Sequence, residues 1–60
     1  MTEQQHRVLE TISSGPESIH DLWRHLKATM CLQSLLDALW ALSDAKQAMF
    51  VAADGMWHLR

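Results

Sequence analysis

The chain of 60 residues is short of several things, and each shortage narrows what it can be. It holds one cysteine, Cys31, so no disulfide forms within it and a reducing, cytoplasmic setting is the expectation. No apolar run approaches the ~18 residues that cross a bilayer, so no membrane partner is expected. Met1 to Arg7 is polar, unlike a secretory signal. Basic charge is also scarce: five Lys and Arg stand against seven Asp and Glu, a formal net of −2 with the four His neutral. Nucleic-acid binders usually carry a basic footprint, and in bulk this chain has none. There is no Gly-rich phosphate loop, no paired-carboxylate pocket and no Ser/His/Asp arrangement, and a domain this small offers little concavity for a substrate. An enzyme, a small-molecule substrate and a cofactor are therefore not expected. His20 and His25 would point about 140° apart on one helix, unlike the i, i+4 pairs that bind zinc, so no metal site is expected either. Cys31, without a fixed partner, reads as a small packing residue.

What remains is the composition of an ordinary folded domain. Apolar residues make up 48% of the chain and charged residues 20%, a balance unlike that of a disordered tail. A domain of this length hides only about 60% of its unfolded surface, so one domain, 1–60, with one thin core is expected.

Three helices are legible in the spacing. Thr2 followed by Gln5 suits a capping box, and Val8, Leu9 and Ile12 recur at helical intervals in a helix over about 3–14. Ser13-Ser14-Gly15-Pro16 ends it, with Gly15 expected as the left-handed closing residue. Glu17 to Ile19 reads as a short extended piece. A second helix follows over about 20–27, with Leu22, Trp23 and Leu26 on its apolar edge. Either Ser18 with Asp21, or His20, caps its start. Arg24 and Lys27 sit near its C-terminal end, where positive charge complements the helix dipole. Thr29 is expected to cap a third helix over about 30–45, in which Leu32, Leu35, Leu39 and Leu42 fall within about 80° of arc as the core stripe. Trp40 and Leu36 are rotated off that stripe, toward a face holding Gln33, Ser34, Asp37, Ala41 and Asp44.

The last stretch, AMFVAADGMWHL, changes period. Ala48, Phe50 and Ala52 alternate with Met49 and Val51, and Trp57 and Leu59 with Met56 and His58, which predicts two strands over about 48–59. Asp54-Gly55 between them has the chemistry of a tight hairpin turn. An isolated hairpin is marginal in water, so Phe50, Trp57 and Leu59 are expected to lie against the helices.

The fold class is thus α+β: three helices and a C-terminal two-stranded β-hairpin. Val8, Leu9 and Ile12, then SIHDLW, then LLDALWALSDAKQAMFV are distributed as in the winged-helix (winged helix-turn-helix) superfamily, and nearly the whole chain resembles a minimal member of it. The resemblance implies that the third helix enters the DNA major groove while the hairpin, or wing, touches the backbone or minor groove. Carried onto this chain, the reading face is Met30, Gln33, Ser34, Asp37 and Trp40, with the wing tip at Ala53, Asp54 and Gly55. Arg24, Lys27, Lys46 and Arg60 are the candidates to reach the phosphates, and Gln33 the candidate to pair with adenine.

Two departures oppose this. Between Thr29 and Ala45 there is no Lys or Arg, while Asp37 and Asp44 would face phosphates, and the wing tip carries Asp54 and no base. The resemblance implies a DNA-binding transcriptional regulator with double-stranded DNA as partner. The alternative is a protein-interaction or homodimerising module, using an apolar patch of Met30, Leu36, Trp40 and Met56.

Overall fold

A computed structural model describes all of residues 1–60. The elements run α1 (Glu3–Ser13), β1 (Glu17–Ser18), α2 (Ile19–Leu26), α3 (Leu32–Asp44), β2 (Ala48–Val51) and β3 (Met56–Leu59). The α+β class expected from the sequence is present. The sheet, however, has three strands in the order β1-β3-β2, all antiparallel, and not two. Glu17 pairs with Trp57 and Ser18 with Met56, so the extended piece before α2 is tied to the far end of the chain.

Local chemistry sets the helix ends. The Thr2 hydroxyl accepts the Gln5 N–H and Gln5 Oε1 accepts the Thr2 N–H, each at 3.2 Å, completing the capping box. Gly15 does not close α1 in the left-handed region. Ser14 stays helical and Gly15, at φ 157°, leads extended into Pro16 and β1. Ser18 caps α2 by accepting the Asp21 N–H at 3.1 Å, which decides between the two candidates. Thr29 belongs to the end of α2 and not to the start of α3: its hydroxyl donates to the Leu26 carbonyl at 3.0 Å. The turn that follows carries Met30 into the core, and α3 begins only at Leu32, after the exposed Cys31 as N-cap. Cys31 is therefore not a packing residue. The same turn explains Leu32. As the first helical residue, next to a Met30 that already fills this end of the core, it is 46% exposed, and Ala38 joins Leu35, Leu39 and Leu42 on the buried stripe.

The C-terminal end of α3 is closed by Lys46 at φ 60°, with the Lys46 N–H donating to Ser43 O at 3.0 Å and the Gln47 N–H to Leu42 O at 2.8 Å. Two of the four orphan carbonyls are satisfied by this reversal, which aims the chain back along the helix into β2.

The core is Val8 and Ile12 of α1, Leu22 and Leu26 of α2, Met30, the four α3 residues, and Ala48 and Trp57 of the sheet, with no polar residue buried among them. The expectation that Phe50, Trp57 and Leu59 would all cover the helices holds for Trp57 alone. Phe50 is 50% and Leu59 51% exposed. The reason is topological: β3 is the central strand and puts Trp57 over the middle of the helices, whereas Phe50 lies on an edge strand, tilted against Trp57 with ring centroids 5.5 Å apart. The hairpin turn is also longer than expected. Ala52–Gly55 separate the strands, and only Gly55 has positive φ (70°).

Lys46 lacks the glycine that its backbone conformation favours, since a left-handed residue with a Cβ is strained by about 1–2 kcal/mol. Lys46→Gly is expected to raise stability by about 1 kcal/mol after the added flexibility of the unfolded chain is subtracted. Thermal unfolding followed by circular dichroism should show a Tm several degrees higher.

Candidate functional site

The second face of the fold comes from what the small sheet fails to cover. Trp40 projects from α3 with 65% of its surface exposed. It stands at one wall of a groove of about 490 Å³ whose opposite wall is Phe50 and whose floor includes Ala48 and Trp57. Ile19, from the first turn of α2, and Met49 complete the apolar lining, and Ser43 and Arg60 are its only polar members. Ile19 is 36% and Met49 41% exposed. Three large apolar side chains, those of Trp40, Phe50 and Ile19, thus share one concavity, instead of being scattered singly as surface hydrophobics usually are, while the side chain of Met49 alternates to the other face of β2.

The residues expected as a protein-facing patch divide. Trp40, which the sequence leaves open between core edge and surface, is exposed, but Met30 is buried in the core, because the turn after α2 folds it inward. Met56 alternates with Trp57 along β3, so it lies on the sheet face away from the helices and cannot join Trp40. Leu36 is half-buried on the flank of α3 and outside the groove. Ile19 and Phe50 take the places that the sequence reading assigned elsewhere. Periodicity carried no signal for Phe50: it shares the covered face of β2 with Ala48 and is exposed only because that strand is an edge.

The residues expected to meet DNA do not form one basic surface. Arg24 lies 4.0 Å from Asp21, which offsets part of its charge, and Lys27 is exposed at the C-cap of α2. Gln33 donates its amide to Asp37 Oδ1 at 3.0 Å, so the group expected to read adenine is occupied locally. Ser34 is 3.3 Å from Cys31 Sγ, and this hydrogen bond, with backbone N–H groups at the helix start, lowers the Cys31 thiol pKa below its usual value. Ser34 and Asp37 also line a second, polar depression of about 380 Å³ against Thr2, Gln4 and Gln5 at the start of α1. Its Thr2 and Gln5 side chains are already engaged in the capping box. Lys46 is exposed in the α3–β2 turn, and Arg60 reaches the groove.

At the wing tip the Asp54 carboxylate accepts the Met56 N–H at 2.9 Å and His58 Nε2–H at 2.8 Å. These bonds hold its pKa below the ordinary carboxylate value, the His58 bond being the larger cause. They also explain the longer turn, since an Asp side chain bonded to the backbone two residues on makes an Asx-turn of its own.

No three His, Cys, Asp or Glu side chains converge to hold a metal ion, and no helix is long and apolar enough to cross a membrane. Compared against protein families, curated proteins and solved structures, the chain matches none.

Two outcomes follow from this geometry. Because Trp40 is two-thirds exposed, Trp40→Ala should lower stability by less than about 1 kcal/mol in denaturant unfolding, where a core tryptophan would lose about 3–5. Because the Asp54 pKa is depressed by folding, its contribution is complete above about pH 4, the unfolded value, and is lost as pH falls through the lower folded value. The Met56 amide proton resonance, followed by NMR from neutral pH downward, should titrate with a midpoint below that of a free Asp, and Asp54→Asn should abolish the transition.

Proposed function

We propose that the chain is a winged-helix binding module, not an enzyme, and that it recognises protein through the groove between α3 and the hairpin. The winged-helix reading is supported by the element order and by β1 joining the hairpin as a third strand. The protein reading is carried by one observation: Trp40, 65% exposed, lines a groove with Ile19, Met49 and Phe50. Aromatic side chains at the centre of an apolar concavity, with polar groups at its rim, are where binding energy concentrates in protein interfaces. A two-ring wall of this kind also adapts to aliphatic or aromatic side chains from a partner.

Electrostatics points the same way. The outward face of α3 carries Asp37 and Asp44 and no base, and the wing tip carries Asp54. Phosphate neutralisation supplies nearly all non-specific DNA affinity, so this surface would repel a duplex where a reading helix has to approach it. Duplex DNA remains the second reading, as a transcriptional regulator, because Arg24, Lys27, Lys46 and Arg60 are all exposed.

Titration with mixed-sequence duplex at low and at moderate salt separates the two. The protein reading predicts no binding at low salt. Binding that weakens steeply as salt rises would overturn it in favour of DNA.

A further inference from the structure

We propose that the groove receives an extended peptide segment that adds a strand to the free edge of β2, with a large apolar side chain beside Phe50 and a carboxylate toward Arg60. The proposal rests on the protein-recognition reading and names the chemistry of the partner.

The sheet has two edges, and only one is guarded. β1 is two residues long, holds Glu17 3.3 Å from His25 Nε2 and turns directly into α2. β2 runs Ala-Met-Phe-Val and pairs with β3 over four consecutive positions. It has no charge, proline or bulge, the devices by which edge strands repel further pairing.

The hydrogen-bond ladder fixes which groups of β2 are free. Arg60 N–H donates to Gln47 O at 3.1 Å, so in this antiparallel register Met49 and Val51 also turn their main-chain groups toward β3. Ala48 and Phe50 turn theirs away, to the side where no further strand lies. Ala48 is fully buried, which leaves the N–H and C=O of half-exposed Phe50 open to a partner. The groove reaches this edge. Ala48, Met49 and Phe50 all line it although the Met49 side chain points to the other face, so the main chain of β2 forms part of the wall. Residues directly opposed across a strand pair share a face. A residue paired with Phe50 therefore sends its side chain to the groove side, toward Trp40.

Area and charge narrow the occupant. The exposed fractions of Trp40 (65%), Phe50 (50%) and Ile19 (36%) amount to roughly 300 Å² of apolar surface, far below the ~800 Å² per partner of a folded interface. That is room for the side chains of a short segment. Arg60 is the one charged residue lining the groove. With Asp44 and Lys46 in the stretch leading into β2, it leaves a positive excess at that end of the strand, while Asp54 stands at the other. An acidic residue on the Gln47 side of the apolar one matches this arrangement.

Selection from a phage-displayed library of random peptides about twelve residues long, followed by titration of a synthetic copy of the enriched sequence, tests this. Enriched peptides should share a large apolar residue with Asp or Glu near it. Saturating peptide should slow hydrogen exchange of the Phe50 amide by at least about tenfold, as a new strand would. N-methylation of the peptide's apolar residue removes its donor to the Phe50 carbonyl and should weaken binding by about tenfold. Trp40→Ala and Arg60→Glu should each weaken it several-fold with the circular dichroism spectrum unchanged. No enrichment, enrichment of basic peptides, a bound peptide that leaves Phe50 exchange unchanged, or indifference to N-methylation would overturn the proposal. Its failure is separable from that of the wider reading. A peptide that fills the groove without protecting Phe50 leaves protein recognition standing, whereas no enrichment together with steeply salt-dependent duplex binding removes both.

Discussion

The placement of Trp57 is the constraint on which the rest depends. Three short helices surround a core that is open on one side, and a chain of this length has little apolar surface left with which to close it. One indole, held on the central strand of the sheet, does so. It stays there because its strand is paired on both sides: Glu17 on one edge and Phe50 on the other face the same residue. A two-stranded ribbon carrying the same tryptophan would be tethered by one ladder only and would be marginal in water. The two residues of β1 matter out of proportion to their number, because they join the segment between α1 and α2 to the last strand and make the fold's ends interdependent.

Closure by one central side chain leaves the margins of the sheet uncovered, and the candidate site arises there. Phe50 touches Trp57 but is half exposed, and Trp40 stands on the exposed flank of α3 between the buried Leu39 and Leu42. Neither is wasted on the core. The groove between them is therefore a by-product of the same economy that makes the domain stable: small Ala48 is buried where the sheet meets the core, and the large residues beside it remain outside. A larger residue at Ala48 would have to be accommodated between closely packed elements, so the groove and the core share a boundary.

Charge then limits what that boundary can meet. The exposed side of α3 is acidic, and its one potential base-reading amide is turned to Asp37. The basic residues lie elsewhere, on α1, at the end of α2, in the α3–β2 turn and at Arg60 after β3, with Arg7 paired to Glu3 and Arg24 partly offset by Asp21. A surface organised in this way has an apolar centre with charges of both signs around it, the arrangement of a protein interface more than of a nucleic-acid one.

Much of the local structure was legible because it depends on neighbours in the chain. The capping box at Thr2, the three helical stripes, the change to alternation after Gln47 and the α+β class all follow from spacing alone. The errors share a cause. Thr29 as a cap, Leu32 as core, Met30 and Met56 as surface partners of Trp40, and Phe50 as lid each required knowing which of several acceptable local arrangements distant residues would favour. Periodicity puts Ala48 and Phe50 on one face of β2, but it does not say that the strand is an edge, where a residue on the covered face can still stand in solvent. Pairing with Glu17–Ser18 across the whole length of the chain made β3 central and β2 an edge, and that decided that Trp57 would be buried, Phe50 exposed, and a groove left beside Trp40. Element type was set by short-range stereochemistry and solvation; the site was set by which apolar surfaces could be buried together, a competition that only the assembled fold resolves.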